Sequence, residues 1–74
     1  MYYEEVLSIL KQGPVGLKAR RTCWEESHIV YDRYMGTITF TRRHTFEDGT
    51  LMTSCYNFIP SHSDCTHDDW EIFE

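Results

Sequence analysis

The spacing of apolar residues changes once along the chain, and the first part is helical. Here the apolar positions recur at i, i+3, i+4 and i+7, which places them on one stripe of a helix: Tyr3, Val6, Leu7 and Leu10. Gly13 and Pro14 follow. Because glycine suits a helix C-terminus and proline cannot continue a helix, the helix is predicted to end there.

Beyond Pro14 the apolar residues alternate with polar ones, as is typical of half-buried strands. Ile29 and Tyr31 alternate with polar or β-branched neighbours, and Ile38 and Phe40 alternate with threonines. A turn is predicted at Met35-Gly36, and Asp48-Gly49 predicts a hairpin. Further strands are predicted over 15–20, 51–58 and 70–73, with a polar, turn-rich segment over 60–69 that has room for one helical turn.

These elements predict a single domain over residues 1–74 of the α+β class, with one N-terminal helix packed on a small antiparallel sheet. The chain has 74 residues, and its hydrophobic content of 41% is too high for a disordered segment. A domain of this size buries only about 60% of its unfolded surface. Because so small a core leaves little room for an enclosed pocket, we do not expect an enzyme, and neighbouring copies are the expected source of further pocket walls.

Charge and hydropathy limit the compartment and the partners. The net charge is -5, no apolar run approaches the length of a membrane span, and the N-terminus lacks the basic segment of a signal peptide. We therefore expect a soluble, cytosolic protein that binds neither a membrane nor long nucleic acid. All basic residues lie between Lys11 and Arg43, and seven acidic residues follow Arg43. Such a split is typical either of separate anion-binding and acidic surfaces or, more commonly, of two parts that neutralise each other across the fold.

The three cysteines, Cys23, Cys55 and Cys65, are odd in number and form no C-x-x-C motif. We interpret them as reduced thiols that serve as small buried hydrophobic side chains. His62, Cys65 and His67 also have the chemistry of zinc ligands, with Cys55 as the fourth. A solvated polar turn is the favoured interpretation of this cluster, so no metal and no cofactor are predicted.

One short segment has the composition of a nucleotide contact. Lys18, Arg20 and Arg21 precede Trp24; a guanidinium pairs with phosphate in bidentate fashion, and an indole face stacks on a base. The commoner role of such a tryptophan is to anchor the core or the edge of a sheet, and both interpretations stay open. No glycine-rich phosphate loop and no nucleophile motif are present.

Three elements of the sequence resemble one known family. They are the opening helix with its Glu5-Val6-Leu7, the pair Arg21-x-x-Trp24, and the run Phe58-x-Pro60-Ser61-x-x-Asp64 followed by Asp69-Trp70. Together they resemble the Thoeris anti-defence two family of small phage-encoded proteins. The resemblance covers both ends of the chain, whereas residues 34–56 carry almost none of it. Phe58 replaces the family's usual tryptophan, and His62 replaces its usual glutamine.

The resemblance implies a sponge for an immune signal. Members of the family hold cyclic ADP-ribose-type signals made by bacterial defence proteins, and some hold cyclic dinucleotides. They do not cleave the signal, so the downstream effector stays inactive in the infected host cell. They are homo-oligomers, typically tetramers, with ligand pockets between protomers.

Carried onto the matching positions, the resemblance implies a contact between Arg21 and phosphate and stacking of Trp24 on a base. Phe58 would line the pocket, and Ser61 and Asp64 would bond to ribose or base edges. Asp69-Trp70 is expected to anchor the last strand. The predicted ligand-binding residues are Arg21, Trp24, Phe58, Pro60, Ser61 and Asp64.

Two other functions are weighed against the sponge. The seven acidic residues after Arg43 also suit an inhibitor that binds a host defence protein directly by mimicking nucleic acid. A cyclic-nucleotide phosphodiesterase ranks third, because the chain has no paired histidines at a catalytic spacing.

Overall fold

One helix, a run of four strands, a short helix and a last strand follow each other in the computed structural model, which describes residues 1–74. In chain order the elements are α1 (Tyr3–Gln12), β1 (Lys18–Arg21), β2 (Ser27–Asp32), β3 (Thr37–Thr45), β4 (Leu51–Asn57), α2 (His62–Thr66) and β5 (Trp70–Phe73). This arrangement confirms the predicted α+β class. None of the helices is long and apolar enough to cross a membrane.

The five strands form one antiparallel sheet in the order β4-β3-β2-β1-β5. The last strand therefore returns to pair with β1, with Lys18 opposite Phe73 and Arg21 opposite Trp70. The other edge of the sheet is β4. This pairing brings the C-terminal segment next to the residues that follow α1.

The core lies between α1 and one face of the sheet. Directly opposed residues of an antiparallel sheet share a face, and one row across the sheet is formed by Ile72, Ala19, Ile29, Phe40 and Tyr56. Ala19 and Ile29 are fully buried, whereas Phe40 is half-buried and Tyr56 is 53% exposed. Because α1 packs mainly on β1, β2 and β5, the β3–β4 hairpin extends beyond the helix.

The helix ends where predicted, and a steric constraint explains the glycine there. A Cβ added to Gly13 would lie 2.5 Å from Leu17 Cδ1 and 2.8 Å from the Ile9 carbonyl oxygen. Gly13 also donates its N–H to that same oxygen at 2.8 Å. A side chain at this position would therefore disturb both the end of α1 and the turn into β1.

The turn predicted between β2 and β3 is also confirmed. The Asp32 side chain accepts the N–H groups of Tyr34 and Met35 at 3.0 and 3.1 Å. Gly36 has a φ of 69°, which glycine adopts without strain. The strand predicted over 15–20 begins later, at Lys18, and the helical turn predicted within 60–69 is α2.

The interpretation of the cysteines as buried side chains is wrong, because all three are exposed. Cys23 lies in the turn between β1 and β2, and Cys65 lies on the solvent side of α2. Cys55 is on the edge strand β4, on the face turned away from α1. The sequence could not place Cys55, because its burial depends on which strand forms the edge of the sheet.

Truncating a core side chain tests the packing of α1 on the sheet. We expect Ile29→Ala to lower the free energy of unfolding by about 2–5 kcal/mol, because Ile29 is fully buried between α1 and the sheet. The matched control is Ile9→Ala on α1, since Ile9 is 39% exposed. Urea denaturation measures both variants, and equal losses would contradict the assignment of the core.

Candidate functional site

A buried arginine joins three parts of the chain. Arg21 at the end of β1 donates from Nε to Asp69 Oδ1 at 2.9 Å and from Nη2 to Asp69 Oδ2 at 3.0 Å. Its Nη1 donates to Asp64 Oδ1 at 3.1 Å and to Ser63 Oγ at 3.2 Å. Only 8% of Arg21 is exposed. The guanidinium is therefore held by two carboxylates within its own protomer.

The charges of this cluster stabilise one another. Hydrogen bonding to Asp69 raises the pKa of Arg21 even above its ordinary value, despite the opposing effect of burial. The same hydrogen bond lowers the pKa of Asp69 below its ordinary value. Both groups therefore stay charged throughout the neutral range.

The same cluster fixes the start of α2. Ser61 is its N-cap: Asp64 donates its backbone N–H to Ser61 Oγ at 3.2 Å, and Ser61 donates its own to Asp64 Oδ2 at 2.9 Å. This reciprocal pair is a capping box. Trp70 adds a third contact, since its indole Nε1 donates to the Asp64 carbonyl oxygen at 2.8 Å. The predicted anchoring role of Asp69-Trp70 is thereby confirmed.

The structure gives two of the predicted ligand residues a role inside the protomer. Arg21 and Asp64 bind each other, and 8% of each residue is exposed. Their predicted contacts with a ligand stay predictions, but their positions are explained without one. The spacing of Ser61 and Asp64 is itself a capping-box signal, which the interpretation of the sequence overlooked.

Trp24 and Phe58, by contrast, come together at the border between core and surface. Their ring centroids are 5.8 Å apart, and Phe40 lies 5.2 Å from Trp24 and 5.8 Å from Phe58. Tyr56 extends the cluster outward at 5.1 Å from Phe40. We call Trp24, Phe40, Tyr56 and Phe58 the aromatic ledge. The three phenylalanine and tryptophan rings are half-buried, and Tyr56 is the most exposed member.

The remaining predicted residues adjoin this ledge in the chain. Pro60 is half-buried and Ser61 is exposed, and both follow Phe58 on the way into α2. Ile59, between Phe58 and Pro60, is 86% exposed. The structure thus brings Phe58, Pro60 and Ser61 to one rim, where an apolar surface meets the polar start of a helix.

Sequence reasoning missed Phe40, Tyr56 and Arg42 as neighbours of the predicted site. Arg42 lies two positions beyond Phe40 on β3 and therefore on the same face, opposite Ser54. It is exposed, and the structure shows no salt bridge for it. Alternation along β3 places Arg42 on the face of Phe40, whereas the position of Tyr56 beside Phe40 depends on the register of β3 and β4, which the sequence alone does not provide.

The protomer has no cavity at the predicted residues. Four surface concavities are present, and none is lined by any of the six predicted ligand residues. One of them, of 410 Å³, lies between the start of β2 and the end of β3 and is lined only by polar or charged residues. The aromatic ledge is therefore a surface rather than an enclosed pocket.

The cluster of His62, Cys65 and His67 is part of the polar surface of α2 and the turn after it. His67 Nδ1 lies 2.9 Å from the Ser63 carbonyl oxygen, which ties the ring to the helix C-terminus. No group of three or more histidine, cysteine, aspartate or glutamate side chains is arranged to hold a metal ion.

Comparison with known proteins places the chain in a family. A family model described as the Thoeris anti-defense 2-like domain matches residues 1–73. The chain belongs to this Thoeris anti-defense 2-like family. Its name indicates a role in anti-defence against the Thoeris system. No curated protein and no solved structure matches the chain significantly.

The family match spans the residues that form the ion-pair cluster and the aromatic ledge. In this Thoeris anti-defense 2-like domain the motif Phe58-x-Pro60-Ser61-x-x-Asp64 has two parts. Its aromatic residue joins the ledge, and its serine and aspartate cap α2. A single motif therefore links a surface able to contact a ligand to the buried cluster that positions it.

The ion-pair cluster predicts a specific loss of stability in acid. The pKa of Asp69 is lowered in the folded protein, so its contribution is complete above the ordinary value of 3.8 and is lost as the pH falls below it. In Asp69→Asn we expect a lower free energy of unfolding at pH 7 and a shallower decline in acid. Urea denaturation between pH 7 and pH 2, with Glu47→Gln as the surface control, measures this. Parallel curves for wild type and Asp69→Asn would contradict the role of the pair.

Proposed function

We propose that this protein sequesters, without cleaving it, a cyclic ADP-ribose-type or cyclic dinucleotide signal of a bacterial immune system. It acts in the cytoplasm of a phage-infected cell as a homo-oligomer, in the tetrameric form that is typical of the family. The observation that carries the proposal is the partly exposed aromatic ledge with an unpaired arginine on the same face of the sheet.

The ledge supplies the stacking surface. Stacking of a base on an aromatic side chain contributes about 1–3 kcal/mol. Trp24 and Phe58 are held in place by edge contacts with Trp70, at 5.0 and 6.2 Å between centroids. Because these contacts fix the rings before a ligand arrives, little side-chain entropy is lost on binding.

Arg42 supplies the phosphate contact in this proposal, and Arg21 acts as a positioning residue. Arg21 would have to leave Asp64 and Asp69 to bind a phosphate, which exposes two buried or half-buried carboxylates. Arg42 has no such bond to break. A guanidinium also offers the bidentate geometry that a phosphate accepts.

A second protomer supplies the wall that one protomer lacks. Sequestration needs tight binding, and nanomolar affinity corresponds to about -12 kcal/mol. One or two stacked bases and a phosphate contact on an open surface fall short of this figure. Enclosure between protomers excludes water and strengthens the contacts with phosphate.

The rival function, an acidic mimic of nucleic acid, is less consistent with the observed ion pairs. Of the seven acidic residues after Arg43, four are paired internally: Asp64 and Asp69 with Arg21, Glu71 with Arg20, and Asp68 with the N-terminal amine. A nucleic-acid mimic needs carboxylates that are free to meet a basic partner.

Uptake followed by heat release tests the proposal. The protein is incubated with a cyclic ADP-ribose isomer or a cyclic dinucleotide, separated from free nucleotide by filtration, and then heated. We expect depletion of the nucleotide from the filtrate and its intact recovery after heating. Recovery of a cleaved product would identify an enzyme, and no depletion with any of these nucleotides would favour the protein-binding rival.

Two adjacent arginines give a matched pair of variants. Arg42→Gln should weaken nucleotide uptake at least tenfold, about the effect of one lost charge-assisted phosphate contact. Arg43→Gln removes the same charge from the opposite face of β3 and should leave uptake near the wild-type value. Isothermal titration calorimetry measures both. Equal losses in the two variants would show a general effect of charge and would contradict the assignment of Arg42.

A further inference from the structure

The edge strand β4 lacks every device that normally protects the edge of a sheet. Its sequence, Leu51–Asn57, contains no charged residue and no proline, and every residue is exposed. Seven consecutive residues pair with β3, so no bulge interrupts the strand. Natural edge strands are usually short, charged, bulged or covered, because an unprotected edge pairs with another strand.

The backbone hydrogen bonds of β4 show which N–H and C=O groups point away from β3. Phe46 donates its N–H to Thr50 at the start of the strand, and Phe58 donates its N–H to Ile38 at the end. In an antiparallel sheet, residues whose backbone N–H and C=O groups bond to one neighbouring strand alternate with residues whose groups point away from that strand. Even-numbered residues therefore bond to β3. The N–H and C=O groups of Leu51, Thr53, Cys55 and Asn57 point outward.

We propose that β4 pairs in antiparallel fashion with β4 of a second copy of the chain, centred on Ser54. In this register Leu51 lies opposite the partner's Asn57, and Thr53 lies opposite the partner's Cys55. Each outward-pointing residue then meets an outward-pointing residue, so all of the free backbone groups on both strands form hydrogen bonds. The strand is self-complementary in this register.

The side chains agree with this pairing. The two-fold axis stands normal to the sheet, so both copies of α1 lie on the same face of one continuous sheet. On that face Tyr56 lies opposite the partner's Met52, and in the free chain these side chains are 53% and 47% exposed. A thioether beside an aromatic ring is a favourable contact. Pairing also covers part of Leu51, which is 54% exposed.

The pairing completes the site of the proposed function, and this consequence rests on that function. Arg42 lies opposite Ser54 on the helix side of the sheet. Across the two-fold axis the row continues through the partner's Ser54 to the partner's Arg42. Strands are about 4.8 Å apart, so the Cα atoms of the two arginines are about 14 Å apart. Two guanidinium groups thus converge from opposite sides on a ligand that carries two phosphates.

A cysteine at the centre of the strand tests the register without any nucleotide. The three native cysteines are replaced by serine, and Ser54→Cys is added. Ser54 and the partner's Ser54 form a non-hydrogen-bonded pair, whose Cα separation of about 4.5 Å is within the range of a disulfide. We expect mild oxidation to yield a covalent dimer of twice the 8.9 kDa chain mass. The matched control is Ser8→Cys, on the exposed surface of α1, which should form no covalent dimer under the same conditions.

A second pair of variants tests the backbone bonds. Thr53→Pro removes an outward N–H but no bond to β3, so the fold should persist while the mass in solution falls below that of the wild type. Thr53→Val keeps the N–H and should keep the wild-type mass. Analytical ultracentrifugation measures the mass, and circular dichroism confirms the fold. In the wild type, the amide hydrogens of Thr53 and Cys55 should exchange more slowly as protein concentration rises.

Three results would overturn the pairing: a wild type that is monomeric at every concentration, a Ser54→Cys variant that oxidises to dimer no better than Ser8→Cys, or a Thr53→Pro variant with the same mass in solution as the wild type. Its failure is distinguishable from failure of the proposed function. A Ser54→Cys dimer together with no nucleotide uptake by the wild type supports the pairing and refutes the sponge. Uptake without a Ser54→Cys dimer supports the sponge and refutes the pairing.

Discussion

The contact between Arg21 and the carboxylates of Asp64 and Asp69 joins α2 and the residue before β5 to the end of β1. Helix α2 has five residues, too few for a stable helix on its own. It persists because Ser61 and Asp64 cap it, Arg21 binds Asp64, and the Trp70 indole bonds to the Asp64 carbonyl. Desolvation offsets much of the energy of a buried ion pair, so the main effect of the cluster is to fix geometry. The rim formed by Phe58, Pro60 and Ser61 takes its position from this cluster.

A second constraint is the width of the helix. A helix about 10 Å across spans roughly two inter-strand spacings of about 4.8 Å, which is the width of three strands. With α1 over β5, β1 and β2, the outer part of the β3–β4 hairpin has no cover within the chain. Burial accordingly falls along the row from Ile29 through Phe40 to Tyr56. The aromatic ledge and the unprotected edge of β4 are two consequences of one helix packing on five strands.

Features that depend on neighbouring residues could be predicted from the sequence, whereas features that depend on long-range strand pairing could not. The period of the apolar residues predicted α1 and the strands, and the Gly13-Pro14 and Met35-Gly36 turns were identified because turn chemistry is local. The order of the strands was not predicted, since the pairing of β1 with β5 depends on residues about fifty positions apart. Without that order the exposure of Cys55 could not be foreseen. Likewise, the position of Arg42 opposite Ser54 of the edge strand becomes apparent only once the register of β3 and β4 is known.

An anionic protein that binds an anionic ligand needs positive charge concentrated at the binding site. The net charge of -5 repels a diphosphate at long range, but salt screens that repulsion beyond about 8 Å under physiological conditions. Within that distance, whether the ligand is attracted or repelled depends on which carboxylates are paired with arginine. Arg20 and Arg21 offset two of the three negative charges of Asp64, Asp69 and Glu71, whereas Arg42 keeps its own charge unpaired. One such arginine on an open surface is a weak anion site. In the proposed pairing two of them face each other across the β4 strands of two protomers, which doubles the local positive charge without adding a residue to a chain whose core is already small.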